Sequence, residues 1–399
     1  MADVFVGFVF DEDKEKELLR CSKHGVQAAA NQYQKGFLSG LPEQVQIIST
    51  LSAGAFPRGN KKLFFKKERK ILPAGQITYL PFVNFYVIRD LMFCVGLYRH
   101  LHRIIEVQEY TNVYVYSLYM PSLKVMDKLK KEFGSKVHYC LIIPDLPGKY
   151  GLVRKGIKGM KDRTEAEKKM CLANVADSFV FLTEAMKELF DPKPYTVIEG
   201  FLPDCEFDYT NTRIPKSVLY TGSLNRAYGF GTLLDAFSGI TDPAAQLWIC
   251  GAGDMEGAVK EAVRKDPRIE FKGFLPKHEI AALQTQCDVL VNPRTDEGEY
   301  TKYSFPSKTM EYLLSGSKVV MYRLPGIGEE YYRFIRTIDA PCADAMAKAL
   351  QDAWADTEFY QSRWQDQVSW IREEKDSNAM TKKCLQICAE QQEGMEDLQ

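Results

Sequence analysis

Short runs rich in β-branched and aromatic residues recur along the chain, each closed by glycine, proline or a polar turn and most followed by a helical pattern. In the first half they are VFVGFVF (4–10), VQIIS (45–49), VYVYSLY (113–119), VHYCLII (137–143), SFVFLT (178–183) and YTVIEG (195–200). In the second they are SVLYTG (217–222), QLWICG (246–251), IEFKGF (269–274), DVLVNP (288–293) and KVVMY (318–322). Strands that alternate with helices pair in parallel, and a parallel sheet needs helices on both faces. The alternation therefore predicts an α/β chain.

Between the two sets lies FLPDCEFDYTNTRIPKS (201–217), a stretch of Pro, Asp, Asn and Thr with linker character. It divides the chain into a domain over 1–203, a second over 204–375 and a terminal helix over 376–399 expected to pack back toward the first. Two domains also suit a chain of 399 residues. Each half reads as a doubly wound sheet, and such sheets bind ligands outside the carboxyl ends of their strands.

Composition excludes several classes. A formal net charge of −1 is wrong for a general nucleic-acid binder, which needs a basic excess. LMFCVGLY (91–98) is the nearest approach to a long apolar run and is far too short to span a bilayer. The opening MADVFVGFVFDEDKEKE lacks a basic start and turns acidic where a signal peptide stays apolar, so the expected location is cytoplasmic. Ten cysteines are scattered without a CxxC pair or zinc-type His spacing. Cys94, Cys140, Cys250 and Cys287 read as reduced core residues, and Cys384 with Cys388, four apart on a helix, are two ligands short of a metal site. No metal is expected.

The segment KYSFPSKTMEYLLSG (302–316) lies between two of the second-half strands, so its front falls at the ligand-facing edge. Pro306, Met310, Leu313 and Leu314 share one helical side, and Ser304, Ser307, Lys308 and Glu311 share another. Ser304 is the expected N-cap and Gly316 the C-cap. Two readings fit: a capped surface helix, or a phosphate seat made by free amides near Ser307, the Lys308 ammonium, and Glu311 accepting from ribose hydroxyls.

Other segments bear on that choice. In VLYTGSLNRAYGFGTLLDAF (218–237) a strand passes through Gly222, Gly229 and Gly231 into a helix, and Arg226 is the cation of the turn. Arg226 is either a diphosphate partner or a solvated charge. Phe274 and Leu275 follow a strand and are either a plain exit or a contact to a base edge. Gly25 precedes a helix of small residues, which lets its loop approach a ligand. Asp145, between two prolines after a buried strand, is either a turn former or an acid, base or hydroxyl anchor.

Taken together, GVQ (25–27), PDLP (144–147), YTGSLNRAYGFGTLLDAF, LWICGAGD, FKGFL, CDVLVNPR and SFPSKTMEYLLSG resemble retaining glycosyltransferases of family 4, most of all bacterial enzymes of capsular and surface polysaccharide synthesis. The resemblance implies a GT-B fold of two Rossmann-like parallel-sheet domains facing a cleft. It also implies transfer of a hexose from a nucleotide-diphosphate sugar, a UDP-sugar being favoured, to a glycan acceptor with retention of configuration. No cofactor or divalent metal is implied. Glu311 matches the family's ribose-holding glutamate, Gly25 its first-loop glycine and Leu275 its base contact.

Departures accompany these matches. The family's first glutamate falls on Tyr303, its arginine and lysine of the glycine turn fall on Ser223 and Tyr228, and the histidine before the amino-terminal acid is Pro144. Diphosphate neutralisation is thus assigned to Arg226 and Lys308. Asp145, Arg226, Lys308 and Glu311 are assigned to the chemistry. Gly25, Gly222, Ser223, Leu275, Glu299, Tyr303, Ser304 and Ser307 are assigned to the donor. The alternatives are a partner subunit that has lost catalysis and a nucleotide-sugar epimerase of the same fold.

FPRGNKKLFFKKERKILP (56–73) adds a basic, aromatic patch with a single acid, Glu68. Lys61, Lys62, Lys66 and Lys67 with Phe64 and Phe65 fit an anionic membrane surface, which a lipid-linked acceptor would require; a solvated loop is the other reading.

Overall fold

A computed structural model describes residues 1–42, 44–147, 156–203 and 205–396. The chain divides into two compact units, one of Met1–Phe201 with Asp376–Gln399 and one of Leu202–Lys375.

The first unit contains, in chain order, β1 (Ala2–Gly7), α1 (Glu12–Cys21), α2 (Ala28–Ser39), β2 (Val45–Ser49), β3 (Phe64–Phe65), β4 (Glu68–Leu72), β5 (Gly75–Tyr79) and β6 (Phe82–Val83). It continues through α3 (Tyr86–Val107), β7 (Thr111–Tyr116), α4 (Met120–Phe133), β8 (Val137–Ile143), α5 (Gly156–Ala173), β9 (Ser178–Phe181) and β10 (Tyr195–Val197). Its main sheet runs β10-β9-β8-β7-β1-β2-β5-β4, parallel except for β4, which turns back on β5. β7 and β8 are buried at every position, as a strand covered on both faces must be.

The second unit contains β11 (Ile214–Thr221), α6 (Phe230–Ser238), β12 (Gln246–Cys250), α7 (Glu256–Lys265), β13 (Ile269–Gly273), α8 (Lys277–Gln286) and β14 (Cys287–Asn292). Then come α9 (Lys308–Leu314), β15 (Lys318–Tyr322), β16 (Ile335–Ile338), α10 (Ala343–Ala355) and α11 (Trp364–Glu374). The chain returns to the first unit as α12 (Ser377–Glu396). The second sheet is parallel throughout, in the order β13-β12-β11-β14-β15-β16. Chain order thus reverses between β11 and β14, and strands flanking such a reversal splay their exits to leave a crevice. Val218, Leu247, Ile249, Val289, Val291 and Val320 fill the core, against Leu233 and Phe237 of α6 and Met346 and Leu350 of α10.

Two expectations need correction. The basic stretch is no loop: β4 pairs with β5 at the sheet edge, and β3 pairs with β6. Glu68 is the single acid within the stretch, but α1 and its N-cap residue Asp11 bring three more against it. Lys62 pairs with Glu17, and Lys70 with Asp11 (2.8 Å) and Asp13 (3.0 Å). Phe65 is buried and stacks on Phe82 at 4.5 Å, so it belongs to the core, whereas Phe64 is 62% exposed. Among the described residues no helix is long and apolar enough to cross a membrane.

Candidate functional site

At the carboxyl ends of β11 and β14, where the strand order reverses, a cavity of about 150 Å³ opens. The exit of β11 lines it with Tyr220, Thr221, Gly222 and Ser223, joined by Tyr228. The exit of β14 adds Asn292 and Arg294, and the approach to α9 adds Pro306, Ser307, Lys308 and Tyr312. Its cations are Arg294 and Lys308.

The frame is pinned by buried groups. Tyr312, on α9, places its hydroxyl 3.1 Å from the Thr221 amide and 3.1 Å from the Thr221 hydroxyl, tying helix to strand end. Burial pushes the Tyr312 hydroxyl far up, so it stays a protonated donor and acceptor. Gly229 has φ +71°, and a Cβ there would lie 2.0 Å from the Pro293 carbonyl oxygen. Only glycine lets the turn after β11 rest on the exit of β14.

Lys308 Nζ donates to both oxygens of Glu311, at 2.7 and 2.9 Å, and Gln284 Nε2 donates to Glu311 Oε1 at 2.6 Å. The carboxylate is therefore held in one orientation, one turn into α9, and Lys308 lines the cavity while Glu311 does not. Lys308 neutralises Glu311.

Arg294 was not singled out from the sequence. Its Nη2 donates to Ser304 Oγ at 2.9 Å, and its guanidinium lies 5.7 Å from the Tyr228 ring centre and 5.3 Å from that of Tyr300. Its Nε is buried without a hydrogen-bond partner among the described groups. An unmatched buried donor beside a cavity is a place for an acceptor.

The other expected residues fall as follows. Ser304 does not cap α9. Pro306 confines Phe305 to extended backbone, so the helix starts at Lys308 with Ser307 at the cap position, and Ser304 holds Arg294 instead. Arg226 is exposed and stands outside the cavity lining, its amide donating to Asp254 at 3.3 Å. Tyr303 is buried beneath the Lys302 ammonium and Glu299 is exposed, and neither lines the cavity. Gly222, Ser223, Ser307 and Lys308 do line it, while Leu275 follows β13 and is half-buried.

In the first unit, Gly25 has φ +78° with open space where a side chain would stand, two residues before the α2 cap at Gln27. Asp145 follows β8 and accepts from the Leu146 amide at 2.9 Å. The residue is exposed overall, yet desolvation by the surrounding protein raises its carboxyl above the usual value, opposed by that amide. Residues 148–151 of the segment read with it lie outside the described residues.

A larger cavity of about 740 Å³, lined by Lys318, Ile335, Arg336, Asp352 and Asp356, lies at the amino ends of β15 and β16. Ligands of open parallel sheets bind at the other edge, so volume does not decide here.

Residues 215–356 match the model of the family described as glycosyl transferases, group 1. A curated relative, 2-deoxystreptamine glucosyltransferase of Streptomyces kanamyceticus, is 39% identical over 74 residues, which is 18% of this chain and 17% of that protein. Among solved structures, sucrose-phosphate synthase of Thermosynechococcus elongatus superposes with TM-score 0.63 at 15% identity, over 99% of this chain and 100% of that one. Anabaena HepE, solved in complex with UDP, gives 0.64 at 14%, over 98% and 100%. The fold is GT-B. Within the GT-B fold, the matched segment contains every residue of the crevice described above.

Proposed function

We propose that the protein is a retaining glycosyltransferase that moves a hexose from a nucleotide-diphosphate sugar to an acceptor hydroxyl. The observation that carries this reading is the crevice between β11 and β14, which Arg294 and Lys308 line together with Gly222 and Ser223. A UDP-sugar is the favoured donor, in keeping with HepE, which has been solved with UDP and with UDP-glucose.

In this assignment the diphosphate lies against Arg294 and Lys308, and Glu311 accepts from the ribose hydroxyls. The bond from the anomeric carbon to the phosphate oxygen breaks as the acceptor oxygen bonds to the same carbon from the same face. The acceptor proton passes to the departing diphosphate. Charge developing on that oxygen is met by the fixed guanidinium of Arg294 and by the ammonium of Lys308 turned from Glu311, electrostatic stabilisation of the kind that usually dominates catalysis. No cofactor is needed for these steps. The acceptor is assigned to the first unit, with Asp145 as its hydroxyl anchor.

The test is a panel of UDP-, GDP- and dTDP-sugars, read first by thermal shift and then by turnover with and without acceptor. Selective stabilisation by one donor is expected, since a ligand that binds only the native state raises its apparent stability. Glu311→Ala and Lys308→Ala are each expected to lower turnover on the order of 100-fold. Near-normal turnover in both refutes the assignment. Donor binding without turnover in the native protein favours a partner subunit, and donor isomerisation without acceptor favours an epimerase.

The acceptor is proposed to be a lipid-linked glycan in surface polysaccharide synthesis, with the first unit docked on an anionic leaflet. Support comes from a surface that joins charge to apolar area. Lys61, Lys66 and Lys67 are exposed beside Phe64 of β3, whose partner strand β6 leads into α3. The start of α3 exposes Tyr86 (60%), Val87 (75%) and Leu91 (64%). Exchanging the three lysines for glutamine should weaken binding to anionic vesicles roughly 100-fold, at about 1 kcal/mol each. Cosedimentation measures it; unchanged binding removes the proposal.

A further inference from the structure

The fold assembles a cluster of thiols distant in sequence. Cys140 lies on β8, and Cys384 and Cys388 lie one helical turn apart on α12, where α12 packs against the first unit's sheet. The three Sγ atoms lie within 4.8 Å of one another, and those of Cys140 and Cys384 are 3.6 Å apart. All three residues are buried, at 1%, 1% and 4% exposure. His138 precedes Cys140 by two residues, so it shares the same face of β8, is 2% exposed, and has Nε2 2.9 Å from Ser178 Oγ.

We propose that Cys140, Cys384 and Cys388 bind a structural zinc ion that staples α12 to β8, with His138 turning toward the three sulfurs to complete the set. A tetrahedral zinc ion sits about 2.3 Å from each thiolate, which sets its sulfurs about 3.8 Å apart, close to the spacing already present. Three sulfurs and one imidazole are a zinc donor set, and a fully buried site has no open position for substrate, so its role is structural. The Ser178 hydroxyl next to the imidazole is a partner of the type that orients metal-bound histidines.

As each Zn–S bond forms, any proton still on that sulfur passes to solvent, and no electron is transferred. The site lies in the first unit, in residues the donor crevice does not use, so its test is independent of the transfer reading.

The full chain, purified under reducing conditions and stripped of loosely held metal, is analysed by elemental mass spectrometry. About one zinc per chain is expected. Cys384→Ser and Cys388→Ser should each lose it, while Cys287→Ser, which changes a buried thiol of the second unit, should keep it. Because a cysteine variant can fail to fold, the native chain is also exchanged with cobalt(II). A thiolate-to-cobalt charge-transfer band with intense tetrahedral visible bands is expected, with His138→Gln altering the visible bands while the charge-transfer band persists. A native chain that holds no zinc and gives no thiolate–cobalt band overturns the proposal. So does zinc retained in both Cys384→Ser and Cys388→Ser.

Discussion

Arg294→Ala should lower kcat/KM on the order of 100- to 1,000-fold, the largest loss expected of any single truncation around the crevice. Lys308 can swing between Glu311 and an incoming phosphate, but Arg294 is already fixed. Its Nη2 is tied to Ser304, its guanidinium lies beside the rings of Tyr228 and Tyr300, and its Nε is buried with no acceptor among the described residues. A guanidinium held this way offers two donors to a phosphate without ordering cost at the moment of reaction. Arg294→Lys keeps the charge and loses the fork, so it should recover only part of the activity. Ser304→Ala removes one tether and should cost about 10-fold, the value of one charge-assisted hydrogen bond. UDP affinity by calorimetry should fall in the same order, Arg294→Ala weakest. Native-like affinity and turnover in Arg294→Ala would move the diphosphate to another part of the crevice.

Arg294 is not distinguished by its local sequence. It stands in CDVLVNPR, where the strand and its closing proline are the local signals, and nothing separates it from an ordinary loop arginine. What singles it out is that β14 lies beside β11, and that adjacency belongs to strand order rather than to either strand's residues. Arg226, by contrast, was conspicuous because it lay in a glycine turn, yet the turn carries it to the exposed side.

The strands themselves were legible, because a strand covered on both faces is apolar at most positions, as VHYCLII of β8 and CDVLVN of β14 are. Edge elements were not. β4 reads ERKIL, alternately half-buried and exposed, and pairs on one side only, so its charges looked like a loop. The acids that partner those charges come from α1 and its N-cap, some fifty residues earlier. The thiol cluster was hidden in the same manner: Cys384 and Cys388 looked two ligands short because Cys140 is 244 residues away. In each case the missing term was a long-range contact.

Gly229→Ala should destabilise the protein by roughly 3 kcal/mol or more, among the larger losses a single methyl can cause. A left-handed residue bearing a Cβ costs about 1–2 kcal/mol by itself. The remainder arises because the new methyl would overlap the Pro293 carbonyl oxygen at 2.0 Å, and that atom is backbone and cannot rotate away. Relief requires the turn after β11 to lift from the exit of β14, which are the two walls that bring Ser223 and Tyr228 toward Asn292 and Arg294. Stability and donor binding should therefore fail together. Gly257→Ala is the matched control: it lies exposed in α7 with nothing within 4 Å of the added carbon, and there helix propensity predicts a gain of about 0.5–1 kcal/mol. Urea unfolding of both variants, with UDP thermal shift on each, separates the outcomes. A Gly229→Ala protein as stable as the control would mean that the two strand exits are not in contact, and the crevice would lose the feature that shapes it.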